Sequence, residues 1–136
     1  MKKTLGSLVI LGFLSAAAYG STGFESVNFD SREDCVDQCW HDFFPAAETD
    51  AFQFSLDVDV ETRLDEIVFV CIDSDGDEEK LEIEGHPGFL TSGTSWTSEE
   101  YGNPCPGRLN RIAVRGFKMF FNDDDPAIFT VTSFIR

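Results

Sequence analysis

Carboxylates carry the sharpest local signal in this sequence. In the stretch Asp73-Ser-Asp75-Gly-Asp77-Glu-Glu79-Lys-Leu-Glu-Ile-Glu84, acids stand at positions 1, 3, 5 and 12 of a loop-length window. Asp73, Asp75, Asp77 and Glu84 therefore match the oxygen-ligand spacing of an EF-hand loop, where alternate side chains of a turning chain converge on one hard cation. The match is incomplete. Position 6 calls for glycine and is Glu78, position 8 is normally apolar and is Lys80, and both flanks read as strands. The window fits a weak calcium site of extracellular type, or a solvated acidic hairpin tip. A second acidic turn, Asn122 to Asp125 before Pro126, and the acids Asp57, Asp59 and Glu61 repeat the choice. They suit low-affinity calcium or mineral-surface binding, or they serve solubility and discourage edge-to-edge strand pairing.

Other groups suggest binding more than catalysis. Trp96 and Tyr101 lie in a Thr/Ser/Gly-rich loop over residues 91–103, where exposed rings would suit the apolar face of a sugar; the alternative is packing beneath a long loop. Arg108, Arg111 and Arg115 stand out in an acidic chain and are expected to pair with carboxylates, or else to form a contact patch. Ser95, Ser98, His41 and His86 are loose residues with no nucleophile–base–acid order, so no enzyme is expected. A paired-carboxylate site is not singled out, because acids are everywhere.

The elements that must position these groups begin after a leader. Met1-Lys2-Lys3, an apolar run from Leu5 to Ala18 and small residues around Gly20 read as a secretory signal peptide over residues 1–20. That run is too short for a membrane span. Residues 21–136 suffice for a single secreted β-rich domain with one core. The formal charge of −15 argues against nucleic acid and against anionic membrane. Fourteen phenylalanines argue for a folded core over an acidic disordered tail. Cys35, Cys39, Cys71 and Cys105 imply two disulfides in an oxidising compartment, with all three pairings open. A zinc site is disfavoured, since only one CxxxC pair exists and His41 and His86 lack ligand spacing.

Strand signals dominate. Residues 52–60 alternate apolar and polar, 81–84 alternate again, and Ile67 to Ile72 is a continuous apolar run of the kind covered on both faces. Residues 112–115, 116–121 and 128–135 supply further strands, with an acidic turn between the last two. One short helical turn or two is expected within 32–44, ending before Pro45. The fold expected is all-β: a small disulfide-stapled Greek-key sandwich or partial β-prism with a short N-terminal helical turn. Residues 51–71 also align without a gap on 116–136, which suggests two repeat units.

The order of motifs carries a resemblance. Ala51-Phe-x-Phe-x-Leu, Leu64-Asp-x-Ile-x-Phe-x-Cys71, Gly88, Gly93 and Trp96, Cys105-Pro106-Gly107 and Val114-Arg-Gly-Phe117 together resemble the vitelline membrane outer layer protein I family over residues 51–121. Val60-Glu-Thr-Arg63 replaces the family's usual approach to the Leu-Asn pattern, and Arg136 stands where a cysteine is expected. The resemblance implies secretion, a β-prism of three Greek-key sheets, and glycan or matrix-protein partners without a cofactor. The function expected is non-enzymatic structural or binding work in an extracellular coat or matrix. An acidic calcium- or mineral-associated matrix protein, and a secreted effector, toxin or inhibitor that binds a target protein, are the alternatives.

Overall fold

Alternation along one strand sets the architecture. In the computed structural model, which describes residues 22–119 and 124–135, Phe52, Phe54, Leu56 and Val58 are buried on one side of a strand and Gln53, Ser55 and Asp57 lie on the other. Ten strands follow in chain order: β1 (Thr22–Asn28), β2 (Trp40–Phe43), β3 (Ala51–Val58), β4 (Thr62–Ile72), β5 (Glu78–Glu82), β6 (Phe89–Leu90), β7 (Thr94–Thr97), β8 (Tyr101–Gly102), β9 (Arg108–Lys118) and β10 (Ala127–Phe134). One sheet has the order β1-β10-β3-β7, with β8 also on β3. The other has the order β2-β9-β4-β5, with β6 also on β4. Every ladder between these strands is antiparallel. Among the described residues two sheets face one core, the sandwich form of the all-β fold expected.

The core is aromatic and draws on both sheets. Phe54 and Phe129 from the first sheet stack at 6.0 Å, and Phe52 meets Phe69 of the second at 5.4 Å. Each such pair adds about 0.5–1.5 kcal/mol beyond its buried area. Leu64, Ile67, Ile112 and Val114 complete the second sheet's inner layer. Gly116 sits inside β9 because the backbone is crowded there: a Cβ would lie 2.6 Å from both the Arg63 carbonyl and the Phe29 ring. Residues 112–115 and 116–118, expected in separate strands, run as one in β9, whose ladder with β4 continues through Gly116 opposite Leu64.

Two expectations change in detail. Among the described residues there is no helix. Residues 31–35 form one hydrogen-bonded turn, with Cys35 N–H donating to Ser31 O at 3.2 Å, and the chain then enters β2 at Trp40. Pairing of Trp40–Phe43 with β9 satisfies that segment's backbone and excludes a helix through it. The two stretches noted as repeat units fall on β3–β4 and on the end of β9 through β10. The first passes from sheet one to sheet two, the second in the reverse direction. The leader (1–20) and Asn122–Asp123 lie outside the described residues.

The cysteines pair as Cys35–Cys39 and Cys71–Cys105. The second bridge ties β4 to the segment between β8 and β9. Two disulfides point to an oxidising, extracellular setting. No helix among the described residues is long and apolar enough to cross a membrane.

Candidate functional site

The outer face of the second sheet departs from ordinary alternation. Val68 and Val70 of β4 and Ala113 of β9 point away from the core, yet all three are buried. They form the floor of an open groove of about 510 Å3, within the size range of ligand sites. Strand register arranges the groove in rows across the sheet. Trp40, Arg115 and Glu66 are cross-strand neighbours at one end. Asp42, Ala113, Val68 and Glu82 form the middle row. Arg111, Val70 and Lys80 form the third. Rows are about 7 Å apart, and strands about 4.8 Å.

Two arginines at the groove pair with carboxylates. Arg115 Nη2 meets Glu66 Oε2 at 2.6 Å, and its guanidinium lies 5.4 Å from the Trp40 ring centroid, which holds the indole as a wall of the groove. Arg111 Nη1 meets Glu78 Oε2 at 3.1 Å while its Nε stands 3.5 Å from Asp42 Oδ1, so this side chain crosses the sheet from β2 to β5. The expectation that these arginines pair with carboxylates holds for Arg111 and Arg115. Asp42, Glu66 and Glu82 line the groove with Lys80 and Arg111, and Arg115 pairs with Glu66 beside them, so the groove is close to balanced in a strongly acidic chain. It offers an apolar floor, one indole that is 36% exposed, and donors and acceptors at both ends.

Beneath the β2 wall, His41 faces inward. Its ring stacks on Phe29 at 5.3 Å, and Nε2 is buried without a hydrogen-bond partner. Burial pushes its pKa below the ordinary value, against the opposing pull of Asp30 and Asp42. His86 sits in a turn with Nδ1 at 3.0 Å from Pro87 O. Neither imidazole lines the groove.

The residues singled out in the sequence fall elsewhere. Asp73, Asp75 and Asp77 do converge: their carboxylate oxygens lie within 4.8 Å of one another at the exposed tip of the β4–β5 hairpin. Asp73 Oδ1 accepts the N–H of Asp75 at 2.8 Å and of Asp77 at 2.9 Å, and Gly76 turns the chain at φ 87°. Glu84 is not part of this group. β5 runs straight back along β4 and pairs Glu82 with Val68, which carries Glu84 about 20 Å from the tip. An EF-hand loop curls around its ion, whereas a hairpin arm cannot.

Trp96 and Tyr101 are drawn to the core. Trp96 is opposite Leu56 and Tyr101 opposite Phe52, so both take the inward parity of β3, and both are half-buried against the core cluster. Tyr101 lines a cleft of about 240 Å3 between the sheets, with Phe69, Leu81 and Ile83. Burial, and then Glu99, raises its phenol pKa. Of the two readings of this loop, packing of its rings is the one observed. The exposed aromatic wall belongs to Trp40, which a helical reading of 32–44 hides. Ile67 to Ile72, an unbroken apolar run in the sequence, supplies two of the three floor residues, Val68 and Val70.

No family model, no curated protein and no solved structure matches this chain.

Proposed function

We propose that this is a non-catalytic extracellular binding protein of a coat or matrix, and that it holds a neutral glycan chain on the outer face of its second sheet. The observation that supports this is the buried Val68–Val70–Ala113 floor beside the exposed Trp40 wall. An indole offers an apolar, rigid surface to a sugar ring, and the flanking carboxylates and guanidinia can accept from and donate to hydroxyls at once. An anionic polymer meets the field of a −15 chain. A cationic one finds two of the three groove acids, Glu66 and Asp42, already engaged by arginine. A neutral polyhydroxylated ligand suits both conditions. The motif order shared with the vitelline-layer family suggests the coat setting.

Titration of the purified protein with a panel of soluble neutral oligosaccharides is the test. Saturable binding abolished by Val70→Arg, which fills the floor, is the expected result. Equal affinity in wild type and variant places any binding outside the groove.

A second reading rests on the hairpin tip. The three convergent carboxylates of Asp73, Asp75 and Asp77 suit a weak calcium site. About 5 mM calcium then raises the melting temperature of wild type but not of Asp75→Asn. Equal melting temperatures with and without calcium leave the tip a solvated turn.

A further inference from the structure

Most sheet edges in this molecule are poor templates for another strand. β2 and β7 have four residues each, and β6 and β8 have two. β5 reads Glu78-Glu-Lys-Leu-Glu82 and presents charge at all but one position. β1 differs. It pairs along its seven residues with β10, carries Glu25 as its one charge, and is exposed at every position except the half-buried Val27. Among the described residues no strand lies on its other side. Phe24 is 75% exposed there. A long, exposed edge without lysine, proline or a bulge invites pairing.

The direction of the free backbone groups follows from the ladder. Phe29 N–H donates to Ala127 O at 2.9 Å, one residue beyond the β1–β10 register. Bonded pairs alternate in an antiparallel ladder, so Val27, Glu25 and Gly23 bond inward and the N–H and C=O of Thr22, Phe24 and Ser26 point outward.

We propose that a second copy of this chain pairs antiparallel with β1 about a two-fold axis, with Phe24 opposite the Phe24 of its mate. Two-fold symmetry makes the interface self-complementary and requires one residue to face itself. With Glu25 on the axis, like charges stand directly opposite, which is destabilising. With Ser26 on the axis, Phe24 opposes Asn28, whose Oδ1 already accepts Ala127 N–H at 3.0 Å. With Phe24 on the axis, ring meets ring, Glu25 opposes Gly23, and Thr22 opposes Ser26. The bonds then fall on the groups that point outward. The sheet becomes continuous across both copies, and both second sheets lie on one side of it, with their grooves facing the same way. The interface is below the usual size for a stable complex, and both partners are acidic. The dimer is therefore weak and strengthened by salt. It does not depend on what the groove binds.

Sedimentation equilibrium of the secreted protein over rising concentration, at low and high salt, reads this directly. The expected result is a doubling of mass at high concentration, reached earlier at high salt. Phe24→Lys weakens association by about tenfold or more with an unchanged melting temperature. Mild oxidation cross-links Phe24→Cys into a dimer, located by peptide mapping, and leaves Glu25→Cys monomeric. Any of three results overturns the proposal: a single mass at every concentration and salt, association indifferent to Phe24→Lys, or cross-linking through position 25 in place of 24.

Discussion

Across the first sheet, Ser26, Thr130, Ser55 and Thr97 stand in one row on the outer face. Across the second, the matching position is a row of Asp42, Ala113, Val68 and Glu82, with charge at its ends and an apolar middle. Both faces are built on the same ladder geometry. On the first, the central strands β3 and β10 alternate in the ordinary way, and Ser26 and Thr130 satisfy each other at 2.8 Å. On the second, β4 and β9 keep apolar residues on both sides although no third layer covers them among the described residues. A protein that needed only a sandwich could have placed threonine at 68 and 70 as well. The second face is therefore the one proposed above to meet a ligand.

The comparison sharpens with depth in the same molecule. Phe54→Ala, in the shared core, is expected to cost about 3–5 kcal/mol in denaturant unfolding. Val70→Ala, on the groove floor, removes two methyl equivalents from a buried site outside the shared core and should cost about 1.5 kcal/mol. Should Val70→Ala cost as much as Phe54→Ala, position 70 belongs to a core and the groove account fails.

A smaller effect comes from the seam where β2 closes the sandwich. The folded pKa of His41 is lowered, chiefly by burial, from an ordinary 6.5. The unfolded chain therefore binds this proton first as pH falls. Stability is held above pH 6.5, declines as pH drops below it, and stops declining from this cause once pH has passed the lowered folded pKa. Thermal melts from pH 7.5 to 5 should show a steeper loss in wild type than in His41→Gln. Parallel curves would mean that His41 takes up its proton as easily folded as unfolded. The smallest effect is expected on the hydroxyl face, where Thr130→Val should change stability by no more than about 0.5 kcal/mol and leave glycan binding untouched.

Much of the fold was legible because the core strands obey a single period. Residues 52–58 alternate and become β3, while 67–72 are apolar throughout and become the half of β4 whose residues 67–71 are buried without a break. β2 was hidden, since four residues are too few to show a period and their partner strand lies some 70 positions away in the chain. The acidic tip was legible as a local turn, and three of its four acids do converge. Glu84 was misplaced because spacing along a chain says nothing of whether the chain curls or runs straight. The groove was out of reach for a related reason: Trp40, Arg115, Val68 and Lys80 lie on four strands and meet only through the register. Trp96 looked exposed because its neighbours are small and polar, yet cross-strand pairing with Leu56 turns it inward.

The central claim is that ligand contact belongs to the second sheet's outer face and not to the 91–103 loop. Trp40→Ala and Trp96→Ala, compared by calorimetric titration with the best-binding neutral oligosaccharide, test it most directly. The account predicts that Trp40→Ala weakens binding by about tenfold or more at nearly unchanged melting temperature, and that Trp96→Ala lowers the melting temperature while binding persists. Binding lost in Trp96→Ala and retained in Trp40→Ala would contradict it.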